Sequence, residues 1–432
     1  MPPDDDPRRR TPRTDAVLAD PRLKDALTRL GRSLVKTAVA EVLERCRAGE
    51  VTPDAVVDEI VATLPESAGS LRKVINATGI VVHTNLGRAP LSAAAVQAVV
   101  TAAGATDVEL DLATGQRGAR GRGALAALRA AVPAAGDVHV VNNGAGALAL
   151  VAAALATRRE IVVARGEMVE IGDGFRIPEL LESAGARLHE VGTTNRVHLT
   201  DYQRAVGPET AFVLKVHPSN FRVEGFVSSV PVADLAALPV PVVADIGSGL
   251  LAPHPRLPDE PDAASTLAAG ASLVTASGDK LLGGPQCGLV LGDAALVERV
   301  RRFPLARALR VDKLTLAALE ATLTGPIPPV AEALATRRDD LMTRARQIAA
   351  TLGEDLASAV ESEAAVGGGG APGVMLPSAA VALPAALAAA LRVGRPPVVG
   401  HVTGDRLLLD LMTVPPDLDT AVVDAVRRAA GA

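Results

Sequence analysis

The chain has 432 residues, 48% of them hydrophobic, with a formal net charge of −5 and a pI near 5.9. That length and apolar share support buried cores in more than one domain, and the acidic balance excludes a protein that clings to nucleic acid by overall charge, so any RNA contact must be local. Cys46 and Cys287 stand far apart without a CxxC spacing, and the seven histidines show no HxH or HExxH pattern, which argues against a disulfide framework and against a metal centre.

Residues 1 to about 14, which include MPPDDDPRRRTPR, read as a charged, disordered lead without the apolar stretch of a secretory signal. The longest apolar runs, such as Ala145 to Ala156, fall short of the roughly 18 residues a membrane span needs, so a soluble protein in the reducing cytoplasm is expected. From Asp20 to about Arg47, Leu23, Leu27, Leu30, Leu34, Val35, Ala38 and Val42 recur at steps of three and four and predict one amphipathic helix. Thr52-Pro53-Asp54 then reads as the cap and first turn of a second helix ending before Pro65. Residues 1–70 are thus expected to form a small helical domain. Its basic positions, Arg29, Arg32, Lys36, Arg45 and Arg47, suit either a solvated face or one that contacts phosphates.

Over 71–330, apolar runs such as DVHVVNN, REIVVARG, ARLHEVG, AFVLKVH, PVVADIG, ASLVTASGDK and CGLVLG alternate with Ala-rich helical stretches. Fully apolar strands separated by helices are the pattern of a parallel sheet covered on both faces, so the expectation is a three-layer α/β/α domain. Over 331–432 the pattern predicts a long helix from Ala331 to Leu356 and a turn in the glycine run VGGGGAPG at 366–373. Strands in GVMLPSAAVAL and RLLLDLMTV follow, then a closing helix from Asp417 to Ala430, together a small α+β domain. Aromatics make up only 1% of the chain, with no Trp and a single Tyr202, so the cores must be packed from small aliphatic side chains.

Lys280 lies in SGDKLLGGPQCG, which reads as a strand, a loop, a Gly-Gly-Pro turn and a return strand. A surface hairpin would account for a lone lysine, but Ser277, Gly278, Gly283 and Gly284 around it point to something approaching the backbone closely. Upstream, PVPVVADIGSG delivers Asp245 to the C-terminal edge of a buried strand, where α/β sheets gather ligands; capping a helix is the alternative role. The turn VVNNGAGALAL leads from strand to helix with Asn142, Asn143, Gly144 and Gly146 at the helix start, where free N–H groups and the helix dipole cradle a phosphate, although an ordinary tight turn has the same pattern. A Schiff-base lysine, an acid for a pyridine nitrogen and an anion site are together what pyridoxal phosphate needs. Arg88, Arg117, Arg120, Arg307 and Arg310 form a further set suited to oxyanions, though each singly also suits a surface salt bridge. His217, just after a strand, is a candidate to line the site or to serve the core.

These residues stand in longer runs that resemble bacterial selenocysteine synthase, the L-seryl-tRNA(Sec) selenium transferase family. The runs are INATGIVVHTNLGRAPLS, RGEMVEIGDGFRIP, EVGTTNR, LKVHPSNFRVEGF, SGDKLLGGPQCG, RALRVDKLTLAALEATL and GRPPVVGHVTGDRLLLDLMTV, and they cover nearly the whole chain after about residue 20. The resemblance implies a fold-type I enzyme using pyridoxal phosphate, with seryl-tRNA(Sec) and selenophosphate as substrates and a dehydroalanyl-tRNA intermediate. It also implies a homodecamer built as a pentamer of dimers, with the N-terminal helices gripping the tRNA. By matching motif, Lys280 is the Schiff-base lysine, Asp245 the pyridine partner, and Arg88, Arg307 and Arg310 hold the selenophosphate oxyanion. Asn143, Gly144 and Ser277 are carried as further cofactor contacts. The phosphate turn departs from the family, which has three asparagines followed by alanines where this chain has Asn142-Asn143-Gly144-Ala145-Gly146.

Overall fold

A computed structural model describes residues 10–172 and 174–431, so most of the charged lead lies outside the described residues. The chain falls into two compact units, Met1–Val74 and Ile75–Ala432.

In the first unit the helix predicted across 20–47 is interrupted. Lys24–Leu30 and Arg32–Arg47 are separate helices because Gly31, at φ +81° and ψ 153°, leaves the helical region between them. The break resets the helical phase: Val35, Val39, Val42, Leu43 and Cys46 are buried, while Leu34, expected inside, is exposed. The second helix, Val56–Thr63, follows a short turn at Pro53–Ala55, where Thr52 sits at the cap position without a side-chain cap bond. Several of the basic side chains are neutralised locally. Arg45 reaches Glu59 at 2.6 Å, Arg47 pairs with Glu44 and Arg29 with Asp25, whereas Arg32 and Lys36, one helical turn apart, are exposed.

The second unit holds β1 (Ile75–Ala77), β2 (Ile80–Val82), β3 (Asp137–Val141), β4 (Glu160–Ala164), β5 (Glu170–Ile171), β6 (Phe175–Arg176), β7 (Arg187–Val191), β8 (Thr210–Val216), β9 (Val242–Gly247), β10 (Leu273–Ser277) and β11 (Gly288–Gly292). It closes with β12 (Ser358–Gly367), β13 (Met375–Pro384), β14 (Val398–Thr403) and β15 (Arg406–Asp410). Seven strands make the main sheet in the order β3-β11-β10-β9-β8-β4-β7. All of its pairings are parallel except those of β11, the return strand after Lys280, which runs antiparallel to both neighbours.

Because successive residues of a strand face opposite ways, β9 sends Val243 to one core and Ala244 and Ile246 to the other. One face is covered by the helix Gly144–Ala156, apolar on every side and accordingly buried. The other is covered by Arg122–Ala131 and Lys313–Thr324 through Leu128, Leu316 and Leu319. The expected three-layer α/β/α arrangement is therefore present. The all-parallel sheet is not, because the Gly283-Gly284-Pro285 turn folds β11 straight back on β10.

Six strands form a second sheet, ordered β1-β14-β15-β13-β12-β2. It draws on both ends of the unit: β1 and β2, from the start, pair parallel with β14 and β12. The helix predicted from 331 to 356 is two, Pro329–Ala335 and Arg338–Leu352, because Thr336 takes an extended conformation between them and its carbonyl accepts from Arg256 at 2.9 Å. Leu341, Ile348, Val422 and Val426 pack the helical side of this sheet against Leu376, Val381 and Leu409.

A close backbone contact ties the first turn of the helix Gly144–Ala156 to β11. A Cβ built on Gly288 would fall 2.0 Å from the carbonyl oxygen of Asn143. Gly288→Ala should therefore destabilise the protein by about 1–3 kcal/mol, the cost of forcing extra volume into a packed interior. Thermal unfolding measures this, and an unchanged melting temperature would show that the contact is looser than described.

Candidate active site

Three loops meet at the C-terminal edge of the main sheet. β9 and β10 lie side by side with Thr275 opposite Asp245, and the register then slips so that Ala276 faces Gly247. The Thr275 hydroxyl donates to Asp245 Oδ1 at 2.8 Å. Two residues past Asp245 the chain turns through Gly247, at φ +64°.

β10 runs directly into the loop carrying Lys280, which is closed by main-chain bonds from Gly278 N to Cys287 O and from Gly284 N to Gly278 O, each 2.9 Å, and from Leu281 N to Ser248 O at 2.8 Å. A lysine on such a loop has little freedom, and Lys280 is 9% exposed. The glycines beside it turn out to accommodate the chain itself. A side chain on Gly278 would collide with Cys287 Sγ and Pro285 O, and one on Gly283 with Pro328. The glycine that presses on Lys280 is Gly369, from the run at 366–373, where a Cβ would lie 2.6 Å from Nζ. Sequence reasoning placed that run in a turn and missed its approach to the lysine; a cluster of four glycines after a strand was the available signal.

Burial pushes the Lys280 ammonium below its ordinary pKa, opposed chiefly by the Asp245 carboxylate; Arg88 adds to the lowering, while Asp279 and Glu260 resist it. Asp245 keeps some open surface, yet desolvation still raises its carboxyl, against the Thr275 hydroxyl, Lys280, the Gly247 amide and His217. A cation set against Asp245 would reverse that penalty, which is what the protonated ring nitrogen of pyridoxal phosphate would provide.

The helix Gly144–Ala156 starts beside the same edge. Gly144 lacks a side chain where Ser277 Oγ sits, 2.3 Å from a Cβ position. Asn143 caps this helix, its side-chain oxygen accepting from Gly146 N at 2.7 Å. The amides of Gly144 and Ala145 have no acceptor one turn earlier within the helix, so the helix start is a cradle for an anion. Asn143, Gly144, Ser277, Lys280 and Asp245 are thus brought together by elements far apart in sequence.

The arginines divide. Arg88, itself in the left-handed region at φ +66°, donates to Asp279 Oδ2 at 2.6 Å, which fixes it one residue from Lys280. Beside this pair opens a cavity of about 500 Å³ lined by Thr84, Arg88, Leu91, Asp279, Pro285 and Gln286. Asp279 Oδ1 is buried there without a hydrogen-bond partner.

Arg307 and Arg310 do not share a helical face. The helix ends at Ala308, and Arg310 instead forms a β-bridge with Val141, beside the bond from Asn142 N to Leu309 O. Both side chains are exposed, and Arg310 lies 3.7 Å from Glu109, which also holds Arg117 and Arg120. His217 stands next to Asp245: its amide donates to the Asp245 carbonyl at 2.9 Å and its ring faces Glu260. Among the described residues no group of His, Cys, Asp or Glu is arranged to hold a metal, and no helix is long and apolar enough to cross a membrane.

The chain is similar to known proteins. A model of the L-seryl-tRNA selenium transferase family matches residues 74–415, and one of the selenocysteine synthase N-terminal region matches residues 8–47. The L-seryl-tRNA(Sec) selenium transferase of Moorella thermoacetica is 42% identical over 98% of this chain and 97% of its own. That of Klebsiella pneumoniae (strain 342) is 44% identical over 93% of this chain and 95% of its own. The solved structure of D-glucosaminate-6-phosphate ammonia-lyase superposes with a TM-score of 0.59 at 19% identity, covering 84% of this chain and 96% of that one, and so shows the same fold.

Asp245→Asn removes the main negative charge that favours the Lys280 ammonium, so the neutral amine should form at lower pH than in the wild type. The pH profile of Lys280 acylation in cofactor-free protein, followed by mass spectrometry, tests this; coincident profiles would mean that the two groups do not feel each other.

Proposed function

Because the chain belongs to the L-seryl-tRNA selenium transferase family, we propose that its conversion of L-seryl-tRNA(Sec) to L-selenocysteinyl-tRNA(Sec) takes place at the Lys280–Asp245 edge, with selenophosphate as donor. The enzyme is a fold-type I transferase that uses pyridoxal phosphate. The observation that carries the assignment is Lys280 itself, buried in the field of Asp245 and faced by Gly369.

When bound, pyridoxal phosphate supplies an electron sink for the serine α-carbon. Lys280 is the residue that holds it covalently. Asp245 would keep the ring nitrogen protonated, and the amides of Gly144 and Ala145, with Ser277 and Asn143 beside them, would receive the phosphate. Lys280 Nζ would serve as the base for the serine α-proton. Its depressed pKa makes it a competent base at lower pH than a surface lysine. Arg88 orients the donor oxyanion next to Lys280, and its ion pair with Asp279 sets where the guanidinium stands. Arg307 and Arg310 are assigned to the same donor. Since they stand on the exposed segment beside the Asn142 turn, their contribution is proposed to come within the homodecamer, a pentamer of dimers, expected in the cytoplasm. The N-terminal helices, with Arg32 and Lys36 exposed, are assigned to the tRNA.

Lys280→Ala should abolish both the visible absorbance of the bound cofactor and the conversion of serine to selenocysteine on charged tRNA(Sec), assayed with thiophosphate and free serine as controls. Full turnover by that variant would refute the assignment. Deleting residues 1–70 should weaken tRNA(Sec) binding in a filter or shift assay; unchanged affinity would remove the tRNA role from the helical unit.

A further inference from the structure

The mechanism uses neither Glu260 nor the turn at Ala371, yet both stand against its central residues. Glu260 comes from the loop before the helix Ala263–Ala268, and its side chain is 1% exposed. A carboxylate so deeply placed is costly unless its oxygens are engaged. Its Oε2 accepts from the amide of Ala371 at 2.6 Å and lies 3.1 Å from His217 Nε2, while Oε1 is buried without a hydrogen-bond partner among the described residues.

Each partner leads back to the reacting lysine. His217 is tied through its own amide to the Asp245 carbonyl, and its ring is held at Nε2 by Glu260. Ala371 has φ +45°, in the left-handed region where a residue with a Cβ is disfavoured. Such a turn persists when something outside it holds it, and Glu260 is bonded to its amide. Two residues earlier stands Gly369, whose backbone lies against the end of Lys280.

We propose that Glu260 is a positioning residue for Lys280: through one carboxylate oxygen it fixes the His217 ring beside Asp245 and pins the 367–373 segment over the lysine amine. This rests on reading Lys280 as the cofactor lysine. The charged groups facing Lys280 are Asp245, Arg88, Asp279 and Glu260, and those facing Asp245 are Lys280 and His217. Of these, Glu260 is an anion that favours the ammonium, so its neutralisation moves the lysine titration to lower pH.

The test uses full-length holoenzyme as wild type, Glu260→Gln, Glu260→Asp and Lys280→Ala. For Glu260→Gln the pH midpoint of the visible cofactor absorbance should fall, hydrogen exchange in the peptide spanning 366–374 should accelerate, and kcat should drop by about one to two orders of magnitude with a smaller change in KM. Glu260→Asp keeps the charge but shortens the reach, so it should accelerate exchange with a smaller movement of the midpoint; it carries the test if Glu260→Gln does not accumulate as folded protein. Wild-type midpoint and wild-type protection in the variants would overturn the role of Glu260 alone. Cofactor absorbance that survives Lys280→Ala would instead overturn the reading of the site on which this inference rests.

Discussion

A lysine and an aspartate set against each other with little water are the constraint on which the site depends. Burial drives the Lys280 ammonium toward its neutral form, opposed chiefly by Asp245, and the Asp245 carboxylate toward its protonated form, opposed first by the Thr275 hydroxyl and then by Lys280. The parallel pairing of β9 with β10 delivers both to one edge, and the register slip after Thr275 lets the two chains diverge around them. An ammonium and a carboxylate held in that state are poised for a ligand with its own charges. A cationic ring nitrogen, as proposed for the bound cofactor, would offset the burial of Asp245.

Close approach of backbones is the second condition. Where Asn143 O stands against Gly288 and Ser277 O against Gly249, a Cβ would fall 2.0 and 2.1 Å from the opposing carbonyl oxygen. Side chains cannot be accommodated at such separations, so the loops converge only because these positions are glycine. Gly369 extends the same principle to the lysine. The small-residue composition serves the rest: the helix Gly144–Ala156, built from Gly, Ala, Leu and Val, packs on the sheet without bulky side chains.

Charge is handled locally. Arg88 is pinned by Asp279 beside the site, whereas Arg310 shares Glu109 with Arg117 and Arg120 on the neighbouring surface. The exposed pairs contribute little stability, so their significance is orientation. A net acidic protein can thereby present cationic groups to anionic substrates at chosen places.

Much of this was legible in the residues. Apolar runs of strand length between helical stretches determined the three-layer α/β/α class, because a strand buried on both faces must be apolar throughout. Lys280, Asp245 and the Asn143–Gly144 turn could be singled out because each combines an unusual local sequence with a strand end. Helix breaks at Gly31 and at Thr336-Arg337 escaped the periodicity, since one or two residues leaving the helical region alter no apolar spacing within the segments on either side. The pairing of β1 and β2 with the C-terminal strands, the contacts of Glu260 with His217 and Ala371, and the approach of Arg310 to Glu109 were decided only by the tertiary structure. Local sequence governs which conformation a segment prefers and which face it buries. Which distant segments then share an edge depends on packing, to which no single stretch of the chain holds the answer.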